Sequence, residues 1–108
     1  MANKIYFEER NAKIICDDTI STKQIDPESI DLIVTSPPYN LDIDYKSHDD
    51  KLDYNEYLKF TKSWLKKCLL LLKNDGRMCL NIPLDTNKGG HRSIGADITE
   101  IAKQVGWK

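Results

Sequence analysis

Long apolar runs are missing from this chain: the longest, Cys68 to Leu72, is far too short to cross a bilayer. The amino terminus, Met1 to Arg10, is too charged for a signal peptide and lacks its apolar core. Both absences predict a cytoplasmic protein without a membrane partner. Cysteine is sparse. Cys16, Cys68 and Cys79 are odd in number and widely spaced, each within an apolar pattern, and they read as small buried hydrophobes in a reducing compartment. His48 and His91 stand alone and no Cys/His ligand spacing occurs, so no metal site is expected. Charge of one sign is also lacking, with 16 basic against 17 acidic residues and a net charge of −1. Without a basic stripe, strong phosphate contact has to come from local folding or from elsewhere. The five glycines show neither G-x-G-x-x-G nor P-loop spacing.

What is present is the composition of a folded domain: 108 residues, 40% hydrophobic and 31% charged, enough for one α/β core. The stretch Ile30 to Asn40, I-D-L-I-V-T-S-P-P-Y-N, organises the rest. Leu32, Ile33 and Val34 in succession, bounded by proline, predict a strand buried on both faces. Pro37 and Pro38 end it, because each fixes φ, removes an N–H and keeps the preceding residue extended. Ser36-Pro37-Pro38 is therefore a stiff, projecting segment rich in acceptors, with the ring of Tyr39 at its end. Such a segment has a chemical use. The exocyclic amine of a nucleobase is a poor nucleophile because its lone pair is delocalised into the ring. A hydroxyl and a carbonyl that hold its two N–H bonds off the ring plane make the nitrogen more pyramidal, and Ser36 and Pro37 offer these acceptors. A base taken out of the stack is gripped by aromatic or apolar surfaces, which Tyr39 and Pro38 offer. The same tetrapeptide also fits an ordinary strand-ending turn.

At these residues the chain resembles the DNA amino-methyltransferases, which move a methyl group from S-adenosylmethionine to cytosine N4 or adenine N6. They carry (S/N/D)-P-P-(Y/F/W) at a strand end. The lead-in matches as well, through Ile25, Ser29, Ile30, Asp31 and Leu32. The resemblance implies a Rossmann-like α/β methyltransferase fold, here about three parallel strands with two main helices. Ser36, Pro37, Pro38 and Tyr39 become the catalytic motif, S-adenosylmethionine the cofactor, and double-stranded DNA with a flipped target base the partner. Serine in the first position is the form met most often in cytosine-N4 enzymes, which puts cytosine slightly ahead. Amino groups of RNA or protein, and a non-catalytic interaction remnant, are the alternatives. No cysteine follows the prolines, so the covalent route of cytosine-C5 enzymes is disfavoured.

The remaining chain falls around this motif. Lys13 to Cys16 is a short strand ending in Asp17-Asp18. In the family an acidic residue at this place lies near the cofactor's adenine, which makes Asp17 the cofactor-binding candidate; capping of the next turn by Asp17 or Asp18 is the competing reading. Thr19 to Ile25 allows one or two helical turns. Asn40 to Leu52 is an acidic loop. Asp53 and Glu56 have capping-box spacing ahead of a three-four apolar repeat from Tyr54 to Leu72, a helix whose lysines, Lys59, Lys62, Lys66, Lys67 and Lys73, are expected in solvent. Gly76 suits the left-handed position after its last turn. Arg77 to Pro83 is the next strand, completing a right-handed βαβ unit. Lys88 to Arg92 is a flexible connection that could also cradle a phosphate. Ile94, Ile98, Ile101, Ala102 and Val105 mark a second amphipathic helix closed by Gly106, and Trp107-Lys108 reads as the start of another strand. The family's glycine-rich cofactor turn is missing. Residues 1–108 are thus expected to be the amino-terminal, catalytic-motif portion of a longer enzyme, inactive alone and prone to self-association through uncovered apolar edges.

Overall fold

The computed structural model describes residues 4–38, 44–45, 48–49, 54–82 and 94–108. Its centre is a parallel pair. β3 (Ile30–Thr35) leads to α1 (Tyr54–Leu71), which returns the chain to β6 (Leu72–Leu80) alongside β3, and α2 (Ile94–Val105) follows. Between β3 and α1 lies a two-residue ladder, β4 (Asp44–Tyr45) with β5 (His48–Asp49), inside the stretch expected to be loop. The strand-helix-strand order is the one the sequence predicts.

Both helices pack on one face of the β3–β6 pair. Tyr57, Trp64, Leu65 and Cys68 of α1 meet Ile94 and Ile98 of α2, and Ile33, Met78, Leu80 and Ile82 close the cluster from the sheet. These are the apolar positions of the two periodic stretches, so amphipathicity alone dictates which faces meet. Gly106 ends α2 at φ 121°, with its own N–H and that of Trp107 both reaching the Ala102 carbonyl, as expected of a glycine cap. Trp107 takes no strand partner among the described residues; its indole N–H donates to the Leu65 carbonyl at 3.1 Å.

Several expectations are corrected. β3 is not covered on both faces: Ile33 and Thr35 turn towards the helices, while Leu32 and Val34 remain 55% and 72% exposed. The cause is that both helices lie on the same side. Cys79, on that open face of β6, is consequently exposed, and so is Cys16; only Cys68 is buried. The Lys13 to Cys16 stretch supplies β2 (Ala12–Ile15), which pairs antiparallel with β1 (Ile5–Glu9) in a hairpin of its own, so the parallel sheet has two strands among the described residues rather than three. Thr19 to Ile25 forms no helix. It makes a single turn, Thr22 N–H to Asp18 carbonyl at 2.8 Å, held by the Ile20 N–H on Asp18 Oδ1 at 2.9 Å.

Gly76 is not a left-handed cap either. The carbonyls of Leu70 and Leu71 at the end of α1 are already taken by the N–H groups of Glu28 and Ser29, each at 3.0 Å, and Glu28 adopts φ 53° to reach its partner. The chain passes straight from Leu71 into β6, whose ladder jumps from Ile30–Leu72 to Leu32–Arg77, two residues along β3 against five along β6. Asn74, Asp75 and Gly76 sit in that bulge. A side chain at Gly76 would meet Leu72 Cδ2 at 2.8 Å and the carbonyl oxygens of Lys73 and Ile30 at 3.0 and 3.1 Å. Glycine is there for close backbone approach. Among the lysines expected in solvent, Lys67 donates to the Thr22 carbonyl at 2.7 Å, and Lys73 pairs with Asp31 at 3.0 Å.

Candidate active site

Parallel strands bring their carboxyl ends to one edge, and the prolines fix what happens there. Thr35, the last residue of β3, pairs with Leu80 of β6, and the Asn81 N–H extends the ladder onto the Thr35 carbonyl at 3.0 Å. Ser36, Pro37 and Pro38 follow at once, beside the exit of β6. Ser36 is exposed, Pro37 buried and Pro38 half-buried. The buried proline roots the turn and leaves the serine side chain in solvent, where an incoming group reaches it.

The amino ends of both helices lie at this edge too. Tyr57, in the first two turns of α1, is 1% exposed, and its hydroxyl donates to the Pro38 carbonyl at 2.7 Å. Its ring stacks on Tyr54, with centroids 6.2 Å apart and planes at 29°. The Tyr54 hydroxyl donates to Asp97 Oδ2 in the first turn of α2, where a carboxylate also complements the helix dipole. The turn is thereby tied to α1, and α1 to α2. The sequence reading takes both tyrosines as core, and the rings are. Their hydroxyls do more, and the available signal was the choice of tyrosine on an apolar stripe, since a buried phenol finds a partner.

Asp17 stands just past β2, whose hairpin with β1 is a sheet separate from β3 and β6, and among the described residues no hydrogen bond or ion pair joins it to Ser36, Pro37 or Pro38. Its Oδ1 accepts from the Asp18 N–H at 2.9 Å and from Lys4 Nζ at 3.3 Å. The Thr22 hydroxyl, followed by the Asp18 amide and Lys4, holds its carboxyl below the usual carboxylate range. Asp17 is therefore a fixed anionic acceptor. The capping reading falls to its neighbour Asp18, which receives Ile20. Of the expected motif, Ser36, Pro37 and Pro38 are described, as one irregular segment that follows β3. Tyr39 lies outside the described residues, as do Asp53 and the Lys88 to Arg92 segment.

What these groups can do follows from their types. A hydroxyl oxygen and a chain of carbonyl oxygens on a rigid turn make an acceptor site for N–H groups, with proline rings as an apolar wall. No group of His, Cys, Asp and Glu among the described residues could hold a metal ion, and no described helix is long and apolar enough to cross a membrane.

Residues 30–108 match the DNA methylase family, a span that opens at the first residue of β3. The type II methyltransferase M.MjaVI of Methanocaldococcus jannaschii is 57% identical over 105 residues, covering 97% of this chain and 54% of that protein. M.HpaI of Haemophilus parainfluenzae is 46% identical over 65 residues, 59% of this chain and 21% of that protein. M.BamHI of Bacillus amyloliquefaciens is 34% identical over 83 residues, 74% and 20%. The chain spans about half the length of the first of these relatives and about a fifth of the other two. With the family match covering most of its residues, this chain belongs to the DNA methylases.

Proposed function

We propose that the chain carries the target-amine site of an S-adenosylmethionine-dependent DNA amino-methyltransferase, built on a Rossmann-like α/β core and working in the cytoplasm. The observation that carries this reading is the position of Ser36-Pro37-Pro38 directly beyond the carboxyl end of β3 beside its parallel neighbour, the edge where open α/β sheets take their ligands. The substrate is double-stranded DNA with the target base flipped out, since the amine is otherwise inside the stack.

Ser36 Oγ and the Pro37 carbonyl each accept one N–H of that amine and free its lone pair. Pro38 and Tyr39 hold the base plane. Bound S-adenosylmethionine would supply an electrophilic methyl group to that nitrogen, its sulfur keeping the bonding pair of the broken sulfur–carbon bond as the thioether. The alkylated nitrogen then gives up one N–H proton along the Ser36 or Pro37 contact to water. Catalysis of this kind is positioning and electrostatics, with no covalent enzyme intermediate. Asp17, held anionic, suits a ribose hydroxyl or adenine amine of the cofactor. It would contribute from the hairpin.

Serine at position 36 favours cytosine N4 over adenine N6. Incubation with methyl-labelled S-adenosylmethionine and mixed-sequence DNA, then digestion to nucleosides, tests the reading. Label in N4-methylcytosine is expected. Label in N6-methyladenine reassigns the base, and label confined to RNA or protein overturns the DNA assignment. No label from a folded sample, alone and as the longer protein, overturns the activity. Ser36→Ala is expected to lower transfer by about 10²-fold or more, the usual scale for one preorganised polar contact, with the circular dichroism spectrum unchanged.

A further inference from the structure

The Ser36 to Pro38 turn offers more acceptors than an amine can use. Ser36 Oγ and the carbonyls of Ser36, Pro37 and Pro38 make four, and a primary amine bears two N–H bonds. The buried hydroxyl of Tyr57 engages the last of them at 2.7 Å. We infer that Tyr57 is a positioning residue for the target amine: by holding the Pro38 carbonyl it fixes this segment and withdraws that acceptor from the amine, for which Ser36 Oγ and the Pro37 carbonyl are the proposed pair. The inference rests on the proposed reading of Ser36 to Pro38 as the amine site.

The surroundings suit this role. Tyr57 is on α1, 19 residues beyond Pro38. Its ring is locked by burial and by stacking on Tyr54, whose own hydroxyl reaches Asp97 on α2. A donor on a fixed helix therefore sets the direction of a carbonyl in the site, which is how a supporting residue holds geometry to fractions of an ångström. For packing alone, phenylalanine at 57 serves equally well. The hydroxyl is the part that acts on the turn.

Tyr57→Phe removes only that hydroxyl. In the methyl-transfer assay kcat is expected to fall by about 10- to 100-fold, the scale of a misplacement of about 1 Å, while KM for DNA changes by less than about twofold because ground-state binding is retained. The 13C resonance of a labelled Pro38 carbonyl, which responds to hydrogen bonding, is expected to move between wild type and variant. Fluorotyrosine at position 57 keeps the donor and restores kcat and the carbonyl shift. A variant with wild-type kcat overturns the inference. So does an equal loss with fluorotyrosine, or a fall in kcat matched by a rise in KM. Absence of methyl transfer by the wild type removes the proposed function instead, and the Pro38 resonance then decides by itself whether Tyr57 orients the turn: an unmoved resonance in Tyr57→Phe refutes it.

Discussion

Gly76→Ala separates two physical readings of one residue. A glycine that ends a helix in the left-handed region is replaced at a cost by alanine and more gently by asparagine, which tolerates that region. The structure describes something else, a bulge in β6 where φ is not positive and space is short. A Cβ there lies 2.8 Å from Leu72 Cδ2, 3.0 Å from the Lys73 carbonyl oxygen and 3.1 Å from that of Ile30. The leucine tip can swing away. The two carbonyls belong to the backbone of β3 and the bulge and can yield only by stretching the ladder. Overpacking of this kind costs roughly 1–3 kcal/mol, and the smaller unfolded-state entropy of alanine returns about 0.4–1 kcal/mol. The net expectation is a loss of about 1–2 kcal/mol, a fall in Tm of roughly 4–8 °C for each kcal/mol in a domain of this size. Urea unfolding followed by circular dichroism and by Trp64 and Trp107 fluorescence measures it. Asparagine adds more atoms to the same gap, so Gly76→Asn is expected to be at least as damaging as Gly76→Ala. An alanine variant as stable as wild type, or an asparagine variant more stable than the alanine one, refutes the packing account.

The cysteines give a second outcome to check. Cys16 and Cys79 are exposed and Cys68 is buried, where burial pushes its thiol above the usual value; alkylation with mass detection should label two thiols in the native protein and the third only on unfolding. Because Cys68 stays neutral in the fold and ionises more readily in the unfolded chain, its contribution to stability is whole below the ordinary cysteine pKa and is lost as pH rises above it, so unfolding at pH 10 should be easier for wild type than for Cys68→Ala relative to their behaviour at pH 7. On the open sheet face, Val34 is 72% exposed and Leu32 55%. Val34→Lys is expected to change stability by no more than about 0.5 kcal/mol and to reduce any self-association seen by sedimentation, and an unchanged sedimentation profile for a self-associating wild type places the contact elsewhere.

How much of this was legible in the residues depends on how far each feature reaches along the chain. The two helices were, since a three-four repeat of large apolar side chains exposes one face to be buried; α1 begins next to Asp53 and α2 ends next to Gly106, although α1 stops at Leu71, five residues short of Gly76. The β3 strand, its abrupt stop at Pro37 and the parallel return to β6 were legible too, from an apolar run, two rings that fix φ and a helix of crossover length between strands. The irregular Ser36 to Pro38 segment at the sheet's carboxyl edge follows from those local facts.

What the tertiary structure alone decided is which partner each surface and polar group receives. Apolarity told that Leu32, Val34 and Cys79 can be buried, but both helices chose the other face and left them open. Glycine at 76 told of a special backbone, and only the ladder jump showed that the need is room rather than handedness. The α1 carbonyls were capped by Glu28 and Ser29, residues some forty positions upstream in the chain. Asp17 followed β2, which pairs with β1 in a sheet separate from β3 and β6. Tyr57 carried its hydroxyl to Pro38. Periodicity and turn chemistry are short-range and are written in neighbouring residues; the cover of a sheet face and the partner of a buried hydroxyl are long-range choices, fixed only when the whole chain packs.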